Sequence, residues 1–224
     1  MSRSTGDGVD AGNVVGNVYD KYGTRNPIAR RLMRGFLDAV TELYGVAAPR
    51  SVLEVGCGEG ELAAHLWRQG PRPERFELCD VDLERLRPDL PPELAARPAS
   101  IYELPWPDHA FDLVVCCEVL EHLHDPARGL RELARVARRH VLLSTPWEPV
   151  WRVLNVARGR YLSAWGNTPG HVQHFDRSSL TALARTELRL VDQRTPLPWT
   201  ILLGTPRRAD AFEGDASEGG PDHG

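Results

Sequence analysis

Lysine is almost absent from this sequence, and arginine carries the positive charge instead. Lys21 is the one lysine among 27 Lys and Arg residues, and 31 Asp and Glu residues leave a formal net charge of −4. We attribute the arginine preference to coding bias rather than to phosphate recognition. Because an acidic chain without a basic tail is poorly suited to a phosphate backbone, the composition predicts no nucleic-acid partner.

Long apolar runs and regularly spaced cysteines are missing as well. No stretch approaches the roughly 20 apolar residues of a membrane-spanning helix, and residues 1–12 show no charged-then-apolar signal pattern. The expectation is a cytoplasmic protein without a transmembrane segment. Four cysteines without metal-binding spacing predict free, largely buried thiols rather than disulfides. They are Cys57, Cys79, Cys116 and Cys117.

The length of 224 residues suits one α/β domain with short additions. Residues 1–12 are small and polar, and residues 209–224 are acidic and glycine-rich, so both tails are predicted to be disordered. The domain is then expected at 13–208, with an irregular insert rich in Trp and Arg at about 147–170.

Apolar runs of strand length alternate with segments of helical periodicity. Four strands are predicted, at 51–55, 76–79, 111–117 and 141–144. Four helices are predicted, at 26–44, 61–68, 125–138 and 177–185. Two last runs flank a turn that contains proline and predict an antiparallel pair, at 188–194 and 199–203. This order predicts a doubly wound α/β fold, with a mostly parallel sheet and an antiparallel edge.

A glycine-rich turn follows the first predicted strand directly, and residues 54–60 read EVGCGEG. Glycines at Gly56 and Gly58 allow a sharp turn and a close approach of backbone to a ligand, and the next helix offers free N–H groups. The dinucleotide fingerprint would require its third glycine at Glu61. An acidic residue at Glu54 suits a ligand that carries an ammonium group. An ordinary glycine turn without a ligand is the alternative.

A carboxylate stands where the second predicted strand ends. Asp80 is placed to accept hydrogen bonds from the two hydroxyls of a ribose, and Asp82 is the second choice for that role. Asp82 also suits the N-cap of a helix.

Together these segments resemble the class I S-adenosylmethionine-dependent methyltransferase family. LEVGCGEG at 53–60 is similar to the first motif of the family, and SIYELPW at 100–106 with FDLV at 111–114 is similar to its adenine-side loop and fourth strand. The resemblance covers about 25–205. It implies S-adenosylmethionine as cofactor and a Rossmann-like seven-stranded sheet of order 3-2-1-4-5-7-6, with an antiparallel strand and helices on both faces.

The resemblance also implies which residues contact the cofactor. Arg25 would bind the methionine carboxylate, with a solvated arginine as the alternative. Ser100 stands where the family often has Asp, so the backbone of Ile101 would contact the adenine in its place. The full implied set is Arg25, Glu54, Gly56, Cys57, Gly58, Asp80, Ser100, Ile101 and Cys117.

Within the family, the sequence is most similar to ubiquinone-biosynthesis O-methyltransferases. RNP at 25–27, EVLEH at 118–122 and GH at 170–171 carry this likeness. It implies a divalent ion such as Mg²⁺ in a shell of two carboxylates and two imidazoles. The alternative is a metal-free segment that supports the cofactor loop. The predicted ligands are Glu118, Glu121, His122 and one of His171 or His174.

The expected reaction is methyl transfer to a small-molecule acceptor, such as a phenol, a sugar or another secondary metabolite. His122 and His171 are the candidate bases that would remove the acceptor proton. Aromatic and arginine side chains of the 147–170 insert suit a planar or anionic acceptor. The first alternative is an amphipathic helix that packs on the domain, and an interfacial role at a membrane is the second. A non-catalytic cofactor-binding partner or sensor and a nucleic-acid methyltransferase are the rival functions.

Overall fold

A computed structural model describes residues 26–148 and 172–207. The two predicted tails, and all of the insert beyond residue 148, lie outside these ranges. None of the helices within them is long and apolar enough to cross a membrane.

The described residues contain seven strands and four helices. The helices are α1 (Pro27–Ala47), α2 (Glu61–Gln69), α3 (Pro126–Val136) and α4 (Arg177–Glu187), with a 3₁₀ turn at Leu120–His122. The strands are β1 (Ser51–Val55), β2 (Arg75–Asp80), β3 (Leu94–Pro98), β4 (Phe111–Cys117), β5 (Ala137–Pro146), β6 (Leu188–Arg194) and β7 (Trp199–Pro206).

One sheet contains all seven strands, in the order β3-β2-β1-β4-β5-β7-β6. The first five pair in parallel, whereas β7 runs antiparallel to both β5 and β6. The predicted strand order and the antiparallel strand are therefore confirmed. The strand at the edge is β6, and β7 lies between it and β5.

Helices cover both faces of the sheet, as predicted. Val52 and Leu113 pack into a core with α1 and α2, whereas Leu53 and Val114 pack into a second core with α3 and α4. Neighbouring residues of a strand point to opposite faces, so the near-continuous apolar runs of β1 and β4 fill both cores. All four cysteines are free thiols, and only Cys117 is less than fully buried, as the sequence predicted.

The structure differs from the prediction in two local features. β3 was missed by the sequence pattern because most of its residues are exposed and it gives no apolar run. α3 ends at Val136, and β5 begins at once with Ala137 rather than at residue 141. Between β2 and β3, residues 81–93 form turns without a helix, in a stretch that contains three prolines.

Candidate cofactor and acceptor site

The glycine loop between β1 and α2 turns through left-handed backbone conformations. Gly56, Gly58 and Gly60 have φ of 76°, 53° and 77°, which side chains with a Cβ rarely adopt. The amides of Gly56 and Cys57 both donate to the carbonyl oxygen of Cys79, at 2.8 and 3.1 Å. These bonds join the carboxyl ends of β1 and β2, and so place the loop beside Asp80.

The glycines of the loop differ in how much room a side chain would have. A Cβ added at Gly56 would lie 2.3 Å from Cγ2 of Val119, in the turn after β4, whereas one added at Gly58 would meet none of the described residues within 4 Å. Gly56 is therefore required by packing within the protein. Gly58 borders open space, where a ligand can approach the backbone.

Asp80 ends β2 beside that open space. Its Oδ2 accepts a hydrogen bond from the Gly58 amide at 2.8 Å, and its Oδ1 accepts one from the Asp82 amide at 3.3 Å. Each carboxylate oxygen has further acceptor capacity for a ribose hydroxyl. Asp82 caps no helix; its Oδ1 accepts from the Glu84 amide at 2.8 Å within the turn segment.

Glu54 is a buried carboxyl group under the glycine loop. It is 4% exposed, and its Oε2 has no hydrogen-bond partner among the described residues. Burial, followed by repulsion from Asp80, raises its pKa to about 8. At neutral pH the group is therefore mostly protonated in the free protein, and a ligand ammonium placed nearby would favour the ionised form.

The predicted adenine-side residues form a tight turn of their own. The Ser100 hydroxyl accepts from the Tyr102 amide at 3.2 Å, and the Ser100 carbonyl accepts from the Glu103 amide at 3.0 Å. Ile101 is 6% exposed and packs in the α3–α4 core. Cys117 ends β4, where burial raises the pKa of its thiol well above the usual range.

Glu118 follows β4 with a left-handed backbone, at φ 61°. Its Oε1 accepts from the Ser144 hydroxyl at 3.1 Å, and its Oε2 accepts from the Trp199 indole at 2.9 Å. Ser144 and Trp199 belong to β5 and β7. No sequence pattern indicates this contact, because residues 118 and 199 are 81 positions apart.

Further polar groups lie in the 3₁₀ turn and in the segment that packs against it. Glu121 and His122 are both buried, and the Glu121 carbonyl accepts from the amides of residues 172 and 173, at 2.9 Å each. His174 Nδ1 lies 3.6 Å from Oε2 of Glu148, a buried carboxylate that the sequence did not single out. The backbone thus brings the segment before α4 to the ends of β4 and β5.

The predicted metal shell is not assembled by the residues the structure describes. Within 26–148 and 172–207, no three His, Cys, Asp or Glu side chains are grouped to hold a metal ion. Both oxygens of Glu118 accept hydrogen bonds from the protein instead. The divalent ion therefore stays a prediction. His171, like Arg25, lies outside the described ranges, and their roles stay predictions.

Strand order and glycine-rich turn together define a class I, Rossmann-like methyltransferase. A family model described as a methyltransferase domain matches residues 28–188. The chain belongs to this family of S-adenosylmethionine-dependent methyltransferases, as the resemblance implied.

Named relatives agree with this assignment. The chain is 35% identical over 115 residues to a ubiquinone biosynthesis O-methyltransferase of Alkalilimnicola ehrlichii, covering 49% of this chain and 47% of the relative. It is 41% identical over 102 residues to a probable S-adenosylmethionine-dependent methyltransferase of Mycobacterium tuberculosis, covering 43% and 36%. The chain spans about half or less of the length of these relatives.

Solved structures share the fold at low sequence identity. The [4+2]-cyclase SpnF matches with a TM-score of 0.61 at 15% identity, over 86% of this chain and 88% of that one. The methyltransferase domain of a bacterial Hen1 matches with a TM-score of 0.59 at 20% identity, over 78% and 99%. At such identity the likeness establishes the fold alone.

Proposed function

We propose that this chain binds S-adenosylmethionine at the carboxyl ends of β1, β2 and β4 and transfers its methyl group to an oxygen of a small-molecule acceptor. The observation that carries the proposal is the pairing of Asp80 with the Gly58 amide beside open space. That arrangement suits the ribose. Glu54, buried with an unpartnered oxygen, suits the ammonium group of the methionine moiety.

Bound S-adenosylmethionine supplies an activated methyl group on a sulfonium. In the transfer, a C–O bond forms as the C–S bond breaks, leaving a neutral thioether, and the acceptor gives up one proton. The protein therefore has two tasks, which are to align the acceptor oxygen with the methyl group and to accept that proton. The likeness to ubiquinone O-methyltransferases supports an oxygen acceptor.

Proton removal is proposed for a histidine at the ends of β4 and β5. His122 and His171 are the candidates from sequence. His174 joins them because its Nδ1 lies 3.6 Å from the buried Glu148 side chain, which can orient the imidazole ring. Replacing each histidine by Gln in turn should identify the base, because loss of the base should lower kcat and flatten its rise with pH.

Calorimetry with S-adenosylmethionine tests the cofactor site directly. Asp80→Ala should weaken binding at least about tenfold, because two hydrogen bonds to a charged acceptor are lost. Asp108→Ala is the matched control, since Asp108 is exposed and pairs with Arg135 away from the loop. Equal affinity in the Asp80 variant and the wild type would contradict the proposed site.

A screen of phenols, sugars and amines, read out as thioether product, tests the reaction itself. Turnover of an oxygen acceptor supports the proposal, whereas binding without turnover of any acceptor would favour the sensor or partner function. Transfer to RNA instead would favour the alternative of a nucleic-acid methyltransferase.

The same assay after exhaustive chelation tests the predicted divalent ion. If the ion is required, activity should be lost on chelation and restored by added Mg²⁺.

A further inference from the structure

Glu118 has a backbone conformation that is costly for its residue type. A left-handed φ of 61° brings Cβ close to the following carbonyl oxygen, and only glycine, and less often Asn or Asp, adopts it readily. Such strain persists only where the surroundings hold it, and it concentrates at functional sites. Glu118 lies at the end of β4, beside the proposed cofactor.

Hydrogen bonds to residues of two other strands hold Glu118 in place. Its amide donates to the Ser144 carbonyl at 3.1 Å, and its carboxylate accepts from the Ser144 hydroxyl and the Trp199 indole. Ser144 is 0% exposed and Trp199 is 3% exposed. The Trp199 ring also packs against Phe36 of α1, with ring centroids 5.0 Å apart. This anchor is therefore part of the rigid core.

The turn that Glu118 starts lies directly on the glycine loop. Val119 follows Glu118, and its Cγ2 occupies the space that a Cβ on Gly56 would need. The Val119 carbonyl accepts from the His122 amide at 2.9 Å, which begins the 3₁₀ turn. The conformation of Glu118 thus sets how closely this turn approaches the cofactor loop.

We propose that Glu118 is a positioning residue for the cofactor loop. Its carboxylate, held by Ser144 and Trp199, keeps Val119 against Gly56 and so keeps the loop in the shape that binds the ligand. The affinity for S-adenosylmethionine therefore depends on β5 and β7, which contribute no residue to the predicted cofactor contacts. This inference rests on the proposed function, because it takes S-adenosylmethionine as the ligand of the loop.

Two variants each remove one side-chain donor to Glu118 and leave the residues of the glycine loop unchanged. Trp199→Phe deletes the indole donor and keeps an aromatic ring against Phe36, and Ser144→Ala deletes the hydroxyl donor. Each should raise the Kd for S-adenosylmethionine, measured by calorimetry, roughly fivefold or more. Trp67→Phe is the matched control, because Trp67 lies on α2 under the Arg72 guanidinium, and its Kd should equal that of the wild type.

Glu118 itself provides a test that separates positioning from stability. Glu118→Ala loses the anchor and keeps the backbone strain, whereas Glu118→Gly loses the anchor and relieves the strain. We expect the Glu118→Gly variant to have a higher melting temperature than the Glu118→Ala variant. Both variants should bind S-adenosylmethionine at least roughly fivefold more weakly than the wild type. Recovery of full affinity in the glycine variant would mean a purely structural role and would overturn the proposal.

The outcomes distinguish this inference from the proposed function. Wild-type protein that binds no S-adenosylmethionine would overturn both. Wild-type protein that binds the ligand, with unchanged affinity in the Trp199, Ser144 and Glu118 variants, would overturn the positioning role alone.

Discussion

Gly56 and Gly58 share a left-handed backbone, yet their surroundings predict different effects of the same substitution. Gly56→Ala forces a methyl group to 2.3 Å from Val119, so we expect a loss of about 2–5 kcal/mol in unfolding free energy. Gly58→Ala meets no atom of the described residues within 4 Å and should cost only about 1–2 kcal/mol. Its methyl group enters the proposed ligand space, so S-adenosylmethionine affinity should fall more than about tenfold. Chemical denaturation and calorimetry measure the two effects.

The contrast between the two glycine variants is what tests the site. A Gly58 variant that unfolds as readily as the Gly56 variant would point to an unseen packing role. A Gly58 variant that is stable and binds S-adenosylmethionine normally would contradict the placement of the ligand.

The raised pKa of Glu54 predicts that the affinity for S-adenosylmethionine depends on pH. Its pKa is raised to about 8 in the free protein by burial and by Asp80, while an ammonium ligand requires the ionised form. The affinity should therefore increase as the pH rises from 6 to 7.5, by up to about tenfold per unit. Above that window the ligand's own amino group, with a pKa of about 7.8, loses its charge. Glu54→Gln should bind weakly at every pH in the window, and a flat wild-type profile would contradict the role of Glu54.

The Glu54 carboxyl group also predicts how the free energy of unfolding changes with pH. Its pKa in the folded chain lies above the ordinary value of 4.5, so the folded state binds more protons than the unfolded state between 4.5 and about 8. Stability of the ligand-free protein should fall across that range as pH rises, by up to about 1.4 kcal/mol per unit. Glu54→Gln should remove this slope, and at pH 8 it should be more stable than the wild type.

At the scale of elements, the start of α4 is fixed by a capping box. Oδ1 of Asp176 accepts from the Ser179 amide at 2.7 Å, and the Ser179 hydroxyl accepts from the Asp176 amide at 2.9 Å. The bond from the Ser179 amide, followed by bonds from the Ser178 and Ser179 hydroxyls, lowers the pKa of Asp176 to about 2. The helix that begins here buries Leu180 and Ala184 completely.

Removing that cap should destabilise the protein in a pH-dependent way. Asp176→Ala should lower the melting temperature by a few degrees at pH 7, whereas Asp176→Ser, which can still cap, should lower it less. Because the carboxylate stabilises the fold only when ionised, the difference between wild type and the Ala variant should shrink as the pH falls from about 4 towards 2. A constant difference over that range would assign the effect to something other than the charge.

The connection between β2 and β3 is an element whose form the sequence pattern did not reveal. Residues 81–93 turn back without a helix, and Leu86 and Leu90 pack close to Gly60. Arg87 ties the segment to Glu61 at the start of α2, at 2.7 Å. Its leucines lack helical periodicity, and prolines interrupt the segment, so neither a helix nor the following exposed strand β3 gives a clear signal.

For the whole molecule, we predict that the two tails are dispensable. Residues 1–12 and 209–224 contain too few apolar residues to pack a core. Deleting both should change neither the melting temperature nor the affinity for S-adenosylmethionine. Differential scanning calorimetry and titration calorimetry of the shortened chain measure these quantities. A drop in affinity after deletion of residues 1–12 alone would indicate that this tail covers the cofactor.

Local sequence was sufficient to determine the glycine loop, Asp80 and the order of most elements. Glycines, strand-end carboxylates and apolar periodicity act over a few residues, and their consequences can be read before the chain folds. The resemblance of these segments to a family then supplied the complete strand order, which the structure confirms.

Only the tertiary structure decided how the acceptor side is organised. Two contacts depend on which strands become neighbours: that of Glu118 with Trp199, and the closeness of His174 to Glu148. Residues far apart in sequence leave no periodic or spacing signal. The raised pKa of Glu54 likewise follows from burial under a folded loop, since desolvation acts only once the surrounding atoms exclude water.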